Sequence, residues 1–126
     1  MPVQQPTTFE LVVNLRTAKA LGFDAYRFSL AWPRIYPSGS GKINQAGLDH
    51  YKRVVEACLA AGVDPWVTLY HWDLPQALQD RGGWANRSIV GWFEEYVALV
   101  AGRLEELAPG AGAALLHLAS GAEIGR

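Results

Sequence analysis

The amino-acid sequence predicts an α/β protein with a parallel sheet, and a repeated segment carries that prediction. ALGFDAYRFSL (Ala20–Leu30) and AAGVDPWVTLY (Ala60–Tyr70) align without gaps, 40 positions apart. Each reads as a helix end, a glycine, an aspartate and then an aromatic and apolar run. Strands that alternate with helices at this spacing favour right-handed βαβ units. Two strands cannot distinguish a doubly wound sheet from a (βα)8 barrel, so both folds remain open. A complete barrel usually needs about 250 residues.

Three helices are predicted from apolar residues that recur at helical spacing. The first ends at Gly22, since glycine at the C′ position takes positive φ without strain. The second begins at Asn44, a suitable N-cap, and the third near Asn86 or Ser88. The predicted buried stripes are Leu11, Leu15, Ala18 and Leu21; Leu48, Tyr51, Val54, Val55, Cys58 and Leu59; and Ile89, Trp92, Phe93, Tyr96, Val97, Val100 and Leu104.

The two strands are predicted where the repeated aspartates, Asp24 and Asp64, lead into runs suited to burial on both faces. A third strand is expected near the end of the chain, and Ala113–Leu118 is the candidate, although it lacks β-branched and aromatic residues. For residues 108–126 as a whole, disorder and helix also stay open. Alternation in the first strand places Tyr26, Phe28, Leu30 and Trp32 on one face and Arg27 and Ser29 on the other.

Composition excludes several function classes. The chain has 126 residues, 50% hydrophobic, with a net charge of −1, so no basic field favours nucleic acid. No apolar run reaches the ~18 residues that span a membrane, and the segment after Met1 does not resemble a secretion signal. The single cysteine, Cys58, excludes an internal disulfide and lies on an apolar stripe, as a core residue would. We expect a cytoplasmic protein.

The ligand site is expected where the two strands end, because parallel α/β folds bind ligands at the carboxyl ends of their strands. RFSLAWPRIYPSGSG and TLYHWDLPQALQDRGGW run there from strand into loops rich in glycine, proline and aromatic residues. Arg27 within a buried strand predicts an acidic partner or an anionic ligand, although a purely structural ion pair remains the alternative.

His71 and Trp72 are the candidate ligand-binding residues of the second loop. Alternation places His71 on the face of Val67 and Leu69, and Trp72 on the opposite side. A histidine can donate and accept hydrogen bonds with a polar ligand, and aromatic surfaces beside it suit the apolar faces of sugar rings. The alternatives are a satisfied buried histidine and core aromatics. The sequence does not predict a metal pair at His71 and Asp73, because no further ligand has suitable spacing, and no phosphate-binding motif is present.

Three segments resemble family 1 glycoside hydrolases of the β-glucosidase group: DAYRFSLAWPRIYPSG, INQAGLDHYKRVVEACLAAGVDPWVTLYHWDLPQAL and GGWANRSIVGWFEEYV. The resemblance covers residues 11–107 and leaves 1–10 and 108–126 as non-matching tails. It implies part of a (βα)8 barrel, about two to three βα units, with strands at 24–32 and 65–72. It also implies carbohydrate metabolism, a small β-glycoside as substrate and no cofactor.

The resemblance further implies residue roles. His71 and Trp72 match positions that contact the sugar, and Arg27 matches an arginine beside the nucleophilic carboxylate. The family's two glutamates lie in Asn-Glu-Pro and Glu-Asn-Gly motifs, neither of which occurs here, and Glu123 has the wrong neighbours. No catalytic residue is therefore assigned, and we expect the chain alone to be inactive. The alternatives are a non-catalytic sugar-binding or interaction fragment and a frameshifted remnant, which translating the downstream DNA in other frames would test.

Overall fold

The computed structural model describes residues 8–107 and 116–117, in which helices and strands alternate along the chain. Pairing of the strands in parallel agrees with the predicted βαβ organisation. The elements are α1 Thr8–Ala20, β1 Ala25–Ser29, α2 Trp32–Ile35, α3 Gln45–Ala60, β2 Asp64–Thr68, α4 Gln76–Gln79, a 3-10 turn Gly83–Ala85, α5 Ile89–Leu107 and β3 Leu116–His117.

The sheet has the order β1-β2-β3, so each strand lies beside the next one along the chain. β1 and β2 pair in register from Ala25 opposite Asp64 to Ser29 opposite Thr68. β3 is short and pairs with the end of β2, inside the segment where a third strand was expected. The other positions of that segment lie outside the described residues.

The repeated glycines end their helices by the same hydrogen bonds. Gly22 has φ +94° and Gly62 has φ +71°. The amide of Gly22 donates to the carbonyl of Lys19, and that of Gly62 to Leu59. The amide that follows each glycine reaches back five residues, from Phe23 to Ala18 and from Val63 to Cys58. Both helices thus end in a Schellman motif, which explains why the sequence repeat contains glycine.

Both strands end earlier than alternation predicted. β1 ends at Ser29, and Trp32, expected on the strand face with Phe28, instead begins α2. Pro33 lies in the first turn of that helix, where its missing N–H costs nothing, and proline cannot donate to a sheet ladder. The amide of Leu30 still donates to the carbonyl of Thr68 at 2.9 Å, and β2 itself stops at Thr68.

The main core lies between the sheet and helices α3 and α5. The stripe predicted for α5 is buried or half-buried at every position, which confirms it. Two predicted core residues near helix C-termini are wrong: Leu21 is 73% exposed and Leu59 is 40% exposed. Cys58, the residue before Leu59, is fully buried, so the last turn of α3 faces the core with a different side from the one that carries Leu59. The largest fully buried side chains include Trp32, Tyr96, Leu30, Ile35, Leu78, Val55 and Val67.

Candidate functional site

The carboxyl ends of β1 and β2 lie side by side, and the two loops predicted to carry the site leave from there. Ser29 and Thr68 are partners in the register and are the last residues of their strands. The Oγ atom of Ser29 lies 3.3 Å from Nδ1 of His71, which belongs to the loop that follows Thr68. The structure therefore brings residues 42 positions apart in sequence into hydrogen-bond contact at one edge of the sheet.

Arg27 lies on the same sheet face as Ser29 but is exposed, so the prediction that it is buried is wrong for the described residues. Its Nη1 atom donates to Oγ1 of Thr68 at 3.3 Å, and Thr68 is fully buried. Among residues 8–107 and 116–117, the structure gives Arg27 no carboxylate partner. Phe28, on the opposite face of β1, packs against the main core, whereas Arg27 is exposed.

His71 lies on a different face from the one that alternation predicted. Since its ring contacts Ser29, it belongs with the Arg27 and Thr68 side of the sheet and not with Val67. Alternation fails because β2 ends at Thr68, three residues before the histidine. His71 is exposed, which excludes the buried-histidine alternative.

Trp72 has the backbone conformation that turns the loop. Its φ of 74° is the single positive value among the described residues other than glycine, and its side chain is 64% exposed. A left-handed conformation is costly for a bulky residue. The carboxylate of Asp73 accepts a hydrogen bond from the backbone amide of His71 at 3.4 Å. Outliers of this kind concentrate at ligand sites.

Two buried tyrosines, Tyr70 and Tyr96, make hydrogen bonds at or next to the start of this loop. Tyr70 is 4% exposed, so it is a core residue, and its hydroxyl accepts a hydrogen bond from Nε1 of Trp84 at 3.2 Å. The hydroxyl of Tyr96 donates to the carbonyl oxygen of Leu69 at 2.8 Å. Burial, followed by the charge of Asp73 and the neighbouring Tyr51, raises the pKa of Tyr96, so it remains a neutral donor.

Sequence reasoning missed the role of the Tyr96 hydroxyl. The apolar stripe of α5 placed this residue in the core, where a phenylalanine would fit equally well. The signal was the residue type itself, because a tyrosine in a buried stripe needs a partner for its O–H group. That partner, the carbonyl of Leu69, lies on a different element, so sequence spacing alone could not identify it.

The part of the chain that the structure describes contains neither a metal-binding cluster nor a membrane-spanning helix. No group of three or more histidine, cysteine, aspartate or glutamate side chains there could hold a metal ion. None of its helices is long and apolar enough to cross a membrane. An apolar hollow of about 610 Å³ lies against α5 and the 3-10 turn and contains none of the strand-end residues. It is lined by Trp84, Ile89, Val90, Phe93, Glu94, Val97 and Ala98.

Parallel strands joined through helices define an α/β protein, a class in which ligand sites lie at the carboxyl ends of the strands. The model of the family described as glycosyl hydrolase family 1 matches residues 9–108. The chain belongs to glycosyl hydrolase family 1.

Relatives and solved structures agree with this assignment. Beta-glucosidase A of Thermotoga maritima is 55% identical over 83 residues, which are 66% of this chain and 19% of the relative. Beta-glucosidase A of Acetivibrio thermocellus is 49% identical over 96 residues, 76% of this chain and 21% of the relative. The T. maritima β-glucosidase in complex with glucoimidazole superposes with a TM-score of 0.73 at 46% identity, covering 79% of this chain and 22% of that one. The chain thus spans about a fifth of the length of the curated relatives it matches.

Proposed function

We propose that the protein serves in retaining hydrolysis of β-glycosides of the β-glucosidase type, and that this chain supplies part of the sugar subsite. The observation that carries the proposal is the placement of His71 and Trp72, both exposed, at the adjoining ends of two parallel strands in a family 1 chain. The cytoplasm is the compartment we propose, since the one cysteine is unpaired.

The chemistry of these side chains suits a sugar. The exposed imidazole of His71 can donate to or accept from a ring hydroxyl, and the exposed indole of Trp72 offers an apolar surface to the ring's C–H face. Arg27, accessible on the same sheet face, suits the family role beside a nucleophilic carboxylate, where its charge would favour the ionised form.

Turnover needs chemistry that we do not assign to these residues. Retaining hydrolysis uses one carboxyl group to protonate the leaving oxygen and a second, about 5–5.5 Å away, to form the glycosyl-enzyme. The 126 residues contain neither the Asn-Glu-Pro nor the Glu-Asn-Gly motif. We therefore propose that the chain alone binds the sugar without cleaving it.

A chromogenic assay tests the absence of turnover. The purified chain, incubated with an aryl β-glucoside, should release no chromophore above the buffer rate at any chain concentration. Release that scales with chain concentration and disappears in Glu123→Gln would show that a catalytic carboxyl is present after all, and would contradict this part of the proposal.

Binding is tested by NMR titration with glucoimidazole, which was bound to the T. maritima β-glucosidase. We expect perturbation of the His71 and Trp72 side-chain signals and a dissociation constant on the order of 1 mM, because part of a subsite buries little ligand surface. His71→Ala should abolish the perturbation at Trp72. The matched control His50→Ala, which changes a histidine on α3, should preserve it. An unchanged spectrum of the wild-type chain would exclude a sugar subsite.

A further inference from the structure

We propose that Ser29 is a positioning residue for His71: its hydroxyl donates to Nδ1 and thereby holds the proton of the neutral imidazole on Nε2, the nitrogen that faces a ligand. This inference rests on the proposed function for its consequence, sugar binding, but the contact itself is between two residues of this chain. It extends the candidate site from the second loop to the last residue of β1.

The contact is the starting observation. Oγ of Ser29 and Nδ1 of His71 are 3.3 Å apart, and within the described residues this is the hydrogen bond that the structure gives to the serine side chain. Ser29 is half-buried at a strand end, so its position is fixed by the sheet register, whereas His71 lies in a loop and is exposed. The serine therefore constrains the histidine, and not the reverse.

The chemistry of the Ser29 hydroxyl and the His71 imidazole determines which of them donates the hydrogen bond. An imidazole nitrogen without a proton is a strong acceptor, and a serine hydroxyl can rotate its proton toward it. Arg27 lies on the same face, two residues before Ser29, and its guanidinium places positive charge beside this edge. A lone pair on Nδ1 directed at that edge is favoured over an N–H bond whose positive end points there. The proton consequently resides on Nε2.

The consequence for recognition is a defined donor. When a histidine's second nitrogen has a fixed partner, the tautomer and the ring orientation are both fixed. The Nε2–H group of His71 then donates to a sugar hydroxyl. Because the contact with Ser29 already restricts tautomer exchange, sugar binding does not have to restrict it. Loss of the Ser29 hydroxyl should weaken glucoimidazole binding by about threefold to tenfold, the effect of one net hydrogen bond.

The test uses long-range ¹H–¹⁵N spectra of the full chain at pH 8, where an ordinary imidazole is neutral. We expect the wild-type signals of His71, identified by their loss in His71→Gln, to show a proton on Nε2 and none on Nδ1. Ser29→Ala should let the imidazole exchange between its two tautomers, so the ¹⁵N shifts of the two ring nitrogens should move toward each other. Ser29→Thr, which retains a hydroxyl, should keep the wild-type pattern. His50 provides an internal reference that none of these changes should move.

Two outcomes would overturn the proposal: a proton on Nδ1 of His71 in the wild-type chain, which is decisive whether or not the variants fold, or an identical tautomer pattern in folded Ser29→Ala. Failure of the proposed function looks different. If the Nε2 tautomer depends on Ser29 but glucoimidazole leaves His71 unperturbed, the positioning role stands and the sugar subsite does not.

Discussion

The hydroxyl of Tyr96 donates to the carbonyl oxygen of Leu69 at 2.8 Å, inside the core and one residue past the end of β2. A strand that stops leaves carbonyl groups without ladder partners, and buried polar groups need replacements. The ring of Tyr96 also stacks on Trp32, with centroids 5.0 Å apart, so α5 ties together the chain segments that follow both strands. The exposed loop containing His71 and Trp72 therefore rests on a buried hydrogen bond.

Tyr96→Phe should lower the free energy of unfolding by about 1–3 kcal/mol, because it keeps the ring but leaves the Leu69 carbonyl buried without this donor. Denaturant unfolding followed by circular dichroism measures the change. The matched control is Tyr26→Phe, which removes a hydroxyl from a side chain that is 37% exposed and should change stability by less than about 0.5 kcal/mol. Equal losses in the two variants would show that the buried hydrogen bond adds nothing.

Two helical glycines should respond in opposite directions to alanine. A Cβ at Gly47 in α3 would meet the backbone carbonyl of Arg34, with its carbon 2.9 Å away, and that backbone is held by α2. Gly47→Ala should therefore destabilise the protein by about 1–3 kcal/mol. At Gly102 in α5 nothing lies within 4 Å, so Gly102→Ala should stabilise it by about 0.5–1 kcal/mol. A stabilising Gly47→Ala would contradict the close approach of α2 to α3.

The sequence predicted the parts of the fold that depend on local chemistry. Glycine followed by aspartate predicted both helix ends and both strand starts, and the structure has Schellman motifs at Gly22 and Gly62. The stripe of α5 is confirmed because the helical period alone determines which of its side chains share a face.

The features that the sequence did not predict lie where the strands end. Alternation predicts strands that continue through Trp32 and His71, but α2 begins at Trp32 and β2 ends at Thr68, so both face assignments are wrong. No residue-type preference indicates the positive φ of Trp72. The partnership of Ser29 with His71 needs the sheet register, which fixes which strand ends become neighbours.

Cys58 should react slowly with a thiol reagent in the native chain. Burial raises the pKa of its thiol from 9.0 to about 11, which lowers the thiolate fraction at pH 8 about a hundredfold, and the side chain is fully buried. The rate of reaction with a chromogenic disulfide, in native buffer and in denaturant, checks this. A control chain with Cys58→Ala and Ala60→Cys places the thiol at an exposed position of α3 and should react rapidly without denaturant. Similar native rates would mean that α3 is not packed as described.

His50 should make stability fall as the solution is acidified below about pH 6.5. Partial burial, with further contributions from the charges of Arg34 and Arg53, lowers the pKa of His50 from its ordinary 6.5. Between the lowered folded value and 6.5 the unfolded chain binds more protons than the native one, so the free energy of unfolding rises with pH in that window and levels off above it. Unfolding measured from pH 5 to 8 should show this slope, and His50→Gln should remove it. Arg53→Gln should reduce it, because one repelling charge is gone. A slope that persists unchanged in His50→Gln would assign the pH dependence to other groups.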